Sequence, residues 1–193
     1  MKKLLSILFM NILFSSLFSS NVLSLTTEEF IMSTEFNAII DLSSVDSELI
    51  EHGVLHLSNS YRFNKGKHLL NYNNQLGKAA LMHSEQMSKY RFFAHVNKRN
   101  KQLSTMDKRA AVAGYADYQT LAENIYYGGL DVSEATSYRA LCLTIVNAFI
   151  SSKGHRLNLL ASDLDDMGCG IHFEENLDNG YWHFYFTQDF GKH

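Results

Sequence analysis

Tyr181-Trp182-His183-Phe184-Tyr185-Phe186-Thr187-Gln188-Asp189-Phe190 decides the fold class of this chain. Trp182, Phe184, Phe186 and Gln188 fall on one face of an extended strand, and His183, Tyr185, Thr187 and Asp189 on the other. Residues 168–173 read as a partner strand, with a turn over 176–180 in which Asp178, Asn179 and Gly180 supply the chemistry. Upstream the period changes. Leu76, Ala80, His83, Met87 and Tyr90 recur at steps of four and three, one face of a helix that begins near Asn73 or Asn74. His83 therefore lies on an apolar stripe and is expected as a core histidine. An earlier helix, capped at Ser44 with Asp46 and Glu48 in its first turn, runs on through 49–63, and a third spans 133–152 until Lys153 and Gly154 break it. A short helix covers 103–113, and the rest of 91–130 reads as irregular. Helices first and a hairpin last predict an α+β domain, not alternating β-α-β units.

The N-terminus reads as an address. Residues 1–24 carry Lys2 and Lys3, an apolar stretch over 4–18, then small and polar side chains, the pattern of a secretory signal peptide cleaved after Ser24. Asn11, Ser15, Ser16 and Ser19 interrupt the stretch, which falls short of the ~20 apolar residues a membrane span needs. A secreted protein with no transmembrane segment after cleavage is expected. Residues 25–43 show no convincing period and read as a leader or linker, leaving 44–193 as the domain.

Composition narrows the function classes. The net charge is −3 and no basic run stands out, which excludes a nucleic-acid binder relying on phosphate contacts. In an oxidising compartment Cys142 and Cys169 can form one bridge; two buried thiols are the alternative. No Gly-rich phosphate loop, HExxH, GxSxG or CxxC is present, so any site must be assembled from distant positions. Three residues stand out by context. His95 follows Phe92-Phe93 where the chain leaves its second helix. Glu123 is a carboxylate inside the apolar run around Ala122 and Ile125. His155 follows Gly154, with Arg156 and Asn158 nearby. Two histidines and a carboxylate can hold Zn²⁺ or another divalent metal, and can equally form a metal-free polar cluster.

The order of several segments resembles the CAP superfamily of cysteine-rich secretory, antigen 5 and pathogenesis-related 1 proteins, in its short extracellular form. The matching pieces are Asn59-Ser60-Tyr61-Arg62, Ala80-Leu81-Met82-His83-Ser84-Glu85-Gln86-Met87, Phe92-Phe93-Ala94-His95 and Ala122-Glu123-Asn124-Ile125. They continue through Phe149-Ile150-Ser151-Ser152-Lys153-Gly154-His155-Arg156-Leu157-Asn158-Leu159-Leu160, Met167-Gly168-Cys169-Gly170 and Phe186-Thr187-Gln188-Asp189-Phe190-Gly191. The resemblance implies an α-β-α sandwich with a small antiparallel sheet, and a central cleft where His95, Glu123 and His155 meet beside Asn124 and Ser152. It also implies a non-enzymatic role in binding a lipid, a sterol or an extracellular protein. The alternative is a metal-assisted hydrolase with Glu123 as base. Ser152 stands where the family has a second cleft Glu, and a hydroxyl cannot replace that carboxylate as base or anionic ligand. Phe149, Lys153 and Ala122 replace a frequent Trp, Pro and Gly, and the cysteine-rich extension of the venom members is missing.

Overall fold

The computed structural model describes residues 25–174 and 178–193. The expected signal peptide at 1–24, and part of the expected hairpin turn, lie outside the described residues. In chain order the elements are α1 (Thr27–Met32), α2 (Thr34–Asn37), α3 (Ser47–Asn64), β1 (Asn71–Tyr72), α4 (Asn74–Tyr90), a 3₁₀ turn (Lys101–Leu103), α5 (Met106–Ala113), β2 (Thr120–Asp131), α6 (Tyr138–Ser151), α7 (Lys153–Leu160), β3 (Asp166–Phe173) and β4 (Tyr181–Lys192).

The helices start where side chains can take up their free backbone donors. Asp46 accepts from the Leu49 amide at the start of α3, and Asn73 accepts from Gln75 and Leu76 at the start of α4. The sheet order is β1-β3-β4-β2. The three long strands are antiparallel, as expected, and the two-residue β1 joins parallel to β3.

The α+β class and the three layers hold. Met167, Cys169 and Ile171 of β3 and Phe184, Phe186 and Phe190 of β4 face the main core, where α3 contributes Ile50 and Val54 and α6 contributes Ile145 and Phe149. The opposite face carries α4. There β3 presents Gly168 and Gly170: a Cβ on Gly168 would stand 2.0 Å from the Gly77 nitrogen, and one on Gly170 2.1 Å from the Leu81 nitrogen. The helix backbone thus rests directly on the strand, and Ser84 seals the contact by donating to the Gly170 carbonyl at 2.8 Å.

Five expectations change. The expected Ser44 cap gives way to Asp46, whose side chain takes the Leu49 amide, so α3 starts at Ser47. Within the stretch read as irregular, Thr120–Asp131 is a strand paired with β4 along its whole length. Its alternation is masked by Glu123, Asn124, Gly128 and Gly129, so pairing, not local pattern, makes it a strand. The leader is not loose. Phe30 of α1 and Phe36 of α2 are fully buried in the main core, so 25–43 packs with the domain. Helix α6 begins at Tyr138 behind a Ser137 cap, because the Asp131 side chain and carbonyl hold 131–134 in a turn. Residues after Gly154 do not leave helical structure: Ser152 interrupts the helix and α7 continues.

Cys142 and Cys169 are free, buried thiols, not a bridge. Cys142 is aimed at the Ile50 carbonyl, 3.5 Å from its sulfur, while Cys169 faces the core from β3. Burial pushes both thiols far above their ordinary range.

Candidate functional site

Strand β2 turns Glu123 toward α4 and α5 and its neighbour Asn124 toward the main core. The Glu123 side chain is only 5 % exposed, yet both of its oxygens are met. His95 Nδ1 lies 2.7 Å from Oε1, and the fully buried Arg109 of α5 donates from Nη2 to Oε2. Burial favours the protonated acid, but the His95 hydrogen bond and the Arg109 charge outweigh it and hold the carboxyl below its ordinary value. Glu123 is therefore ionised. Its hydrogen bond raises the pKa of His95 and fixes which ring nitrogen points inward.

His83 is buried as expected, and it also borders this cluster. Its Nε2 lies 3.1 Å from the Ala94 carbonyl and 3.8 Å from Glu123 Oε1. Burial drives its pKa down to about 4, so it is neutral at pH 7. Opposite Glu123 in the strand register stands Asp189, fully buried, with no donor to either oxygen. Burial first, and the Glu123 charge second, push its carboxyl well above the usual range, so Asp189 is a neutral acid.

His155 enters from α7. Its ring packs edge-on against Phe149 at 5.2 Å, and burial together with the charge on His95 lowers its pKa. The helix that carries it is held at both ends. Asn124 donates to the His155 carbonyl at 3.3 Å and to Gln188 at 3.1 Å, and accepts from Asn158 at 2.9 Å. Asn158 also donates to the Glu123 carbonyl at 3.1 Å. At the far end, buried Arg62 donates to the Leu159 and Ala161 carbonyls at 2.8 and 2.9 Å, supplying positive charge where the helix leaves carbonyls free. Asn124 thus positions α7 from the core side. Ser152, before the first turn of α7, makes no capping bond.

Of the expected residues, His95 and Glu123 are in direct contact, and His155 lies close enough to feel the His95 charge. Among the described residues no three His, Cys, Asp or Glu side chains come together as a metal cage. The donor set that remains for a metal is the imidazole pair. Glu123 would act on it from behind, as the carboxylate that orients a ligating histidine. Sequence reading missed Arg109 and Asp189 as members of the cluster. Arg109 sits beside Ala110 on the inward face of α5, where a charge among apolar neighbours signals a buried partner. Asp189, between Gln188 and Phe190 on β4, carries no such local signal.

Comparison with known proteins identifies the family and the fold. Residues 55–190 match the family described as CAP, the cysteine-rich secretory protein family. A Bacillus subtilis (strain 168) protein named uncharacterized membrane protein YlbC is 30 % identical over 142 residues, 74 % of this chain and 34 % of the relative. The chain thus spans about a third of that relative. Among solved structures, an extracellular SCP-domain protein of Bacillus anthracis str. Ames aligns with a TM-score of 0.57 at 22 % identity, covering 76 % of this chain and 41 % of that one. An outer surface protein of Borrelia burgdorferi aligns with a TM-score of 0.56 at 19 % identity, over 72 % of this chain and 89 % of that one. These two share the fold. Matched over most of its length, the chain belongs to the cysteine-rich secretory protein (CAP) family.

Proposed function

We propose that this chain is a non-enzymatic binding module working outside the cell, with His95 and His155 available to Zn²⁺ or another divalent metal. One observation carries the choice of binding over turnover: both oxygens of Glu123 are engaged, by His95 and by Arg109. A general base must reach the water it activates, and an ionised carboxylate locked onto a buried guanidinium is not free to do so. Ser152 adds no second carboxylate. A metal on the imidazole pair would supply a fixed positive charge in the cleft, and Glu123 would hold His95 with Nε2 outward for it.

The export signal expected at 1–24 supports work outside the cell, and the two structural neighbours are an extracellular and an outer surface protein. Among the described residues no helix is long and apolar enough to cross a membrane. A sterol or acyl chain calls for an enclosed apolar pocket. Charged residues line the groove beside α4 (Glu85, Lys89, Arg91, Glu174 and Asp178), which favours a polar ligand or an extracellular protein surface over a sterol.

The test is calorimetric titration of the secreted chain with Zn²⁺, in wild type and in His95→Ala/His155→Ala, beside a peptidase assay in the same buffer. Stoichiometric Zn²⁺ lost in the double variant, without turnover, is the expected result. Turnover that disappears in Glu123→Gln while the fold is retained would overturn the reading.

A further inference from the structure

Helix α4 ends at Tyr90, and beyond Thr187 the sheet face it covers lies open as a groove of about 1190 Å³. The strand register places His172, Tyr185 and Tyr127 side by side across β3, β4 and β2 at this level. The Tyr127 ring lies 4.8 Å from Tyr185 and, nearly parallel, 5.4 Å from His183. Phe93, from the loop after α4, closes on Tyr127 at 6.3 Å. Tyr127 and Phe93 are 41 % and 53 % exposed, so this aromatic platform faces solvent instead of filling a core.

The walls are charged in both senses. Lys89 and Arg91 stand at the end of α4 with Glu85 and Gln86 nearby, and Glu174 and Asp178 rise from the hairpin. Glu174 and Asp178 lie close enough to act on the Tyr127 hydroxyl, and Arg91 on that of Tyr185. Yet among the described residues none of these five charged side chains forms an ion pair. The groove therefore presents charges of both signs, not neutralised by ion pairs among the described residues, around exposed rings.

These features select among ligand classes. An extended peptide gains affinity from a free strand edge, whereas the floor here is a sheet face whose β3 and β4 backbone groups are already paired. A lipid chain has no enclosed apolar cavity to enter, and nucleic acid meets a chain of net charge −3. A sugar ring has apolar C–H faces that lie flat on aromatic rings and hydroxyls that both donate and accept. The volume exceeds the ~300–1,000 Å³ of small-molecule sites, so it suits several linked units.

We propose that this groove binds a linear, uncharged polysaccharide chain, its sugar faces stacked on Tyr127 and Phe93 and its hydroxyls held by Arg91, Glu85, Glu174 and Asp178. The proposal rests on the binding-module reading above and names the ligand class. It is separate from the metal question, because neither His95 nor His155 lines the groove.

Titration of the secreted chain with chitohexaose and with cellohexaose tests it, in wild type, Tyr127→Ala, Phe93→Ala and His95→Ala/His155→Ala. Both ring variants truncate exposed side chains, and circular dichroism checks their fold. Saturable binding of at least one hexaose, weakened about tenfold or more in each ring variant and unchanged in the histidine variant, supports the proposal. Absence of binding at millimolar sugar by a folded protein that still takes up Zn²⁺ overturns it while leaving the binding-module reading intact. Equal affinity in Tyr127→Ala overturns it as well, as does binding only to polylysine or to phosphatidylcholine vesicles. A wild-type chain that binds sugar but takes up no Zn²⁺ sinks the metal reading alone.

Discussion

Glu123 and Asp189 stand directly opposite one another on β2 and β4, and the only guanidinium bonded to either among the described residues, Arg109, goes to Glu123. One buried cation balances one buried anion. Glu123, with Arg109 and His95 on its oxygens, takes the charge; Asp189, with no donor on either oxygen, keeps its proton. Two carboxyls facing each other in one buried site cannot both ionise cheaply, and their surroundings decide which one does.

That division predicts unequal costs. Asp189→Asn replaces a neutral acid with a neutral amide and is expected to change stability by no more than about 1 kcal/mol. Arg109→Met strands the Glu123 carboxylate beside Asp189 and should cost about 3–5 kcal/mol. Urea denaturation of both variants checks the contrast, and equal losses would contradict the assignment of charge.

The leader helices predict a boundary effect. Phe30 is fully buried, stacked on His56 at 4.2 Å and against Phe36 at 4.7 Å. Phe30→Ala should therefore cost about 3–5 kcal/mol, as truncating a core aromatic does. A chain beginning at 44 should melt well below one beginning at 25. Equal melting temperatures would mean that 25–43 contributes nothing to the domain.

Acid should weaken the same region. Burial, and secondarily the neighbouring His52, drives the pKa of His56 from 6.5 down to about 4 in the folded state. As pH falls below 6.5 the unfolded chain takes up this proton first, so stability declines through that window and the loss is complete below about 4. The shift corresponds to at most about 3 kcal/mol. Glu51, raised to about 7 by burial, has the opposite sign: its contribution is present below 4.5 and disappears as pH rises through 7. His56→Phe, which keeps a ring against Phe30, should flatten the acid limb measured by chemical denaturation from pH 4 to 7. An unchanged limb would show that His56 does not titrate there.

Close packing of α4 on β3 predicts intolerance of one methyl group. The Cβ of Gly170→Ala would stand 2.1 Å from the Leu81 nitrogen, and backbone cannot swing aside as a side chain can. The variant should lose about 3 kcal/mol or fail to accumulate folded. Gly154→Ala, where nothing lies within 4 Å, serves as the comparison and should be close to neutral. A thermal melt of the two decides it.

Sequence by itself determined the parts of this protein that depend on near neighbours. The stripe from Leu76 to Met87 is a helix because its period is local, and β4 is a strand because its alternation is local. The helix start near Asn73 or Asn74 and the turn glycine at Gly180, with φ of 82°, were legible for the same reason. His95, Glu123 and His155 stood out by local context, but only the resemblance implied that they meet, since their separation along the chain carries no ligand-spacing information.

Only the tertiary structure decided what depends on distant partners. Strand β2 exists because β4 pairs with it, and the leader is ordered because Phe30 and Phe36 find a core beneath them. Helix α7 holds His155 in place because Asn124 and Arg62, both remote in sequence, grip its ends. Arg109 and Asp189 joined the cluster through register and burial, which no window along the chain encodes. The free thiols of Cys142 and Cys169 follow from where α6 and β3 point them. In each case the free energy comes from contacts closed across the fold, so the pattern that would announce it is absent from the local sequence.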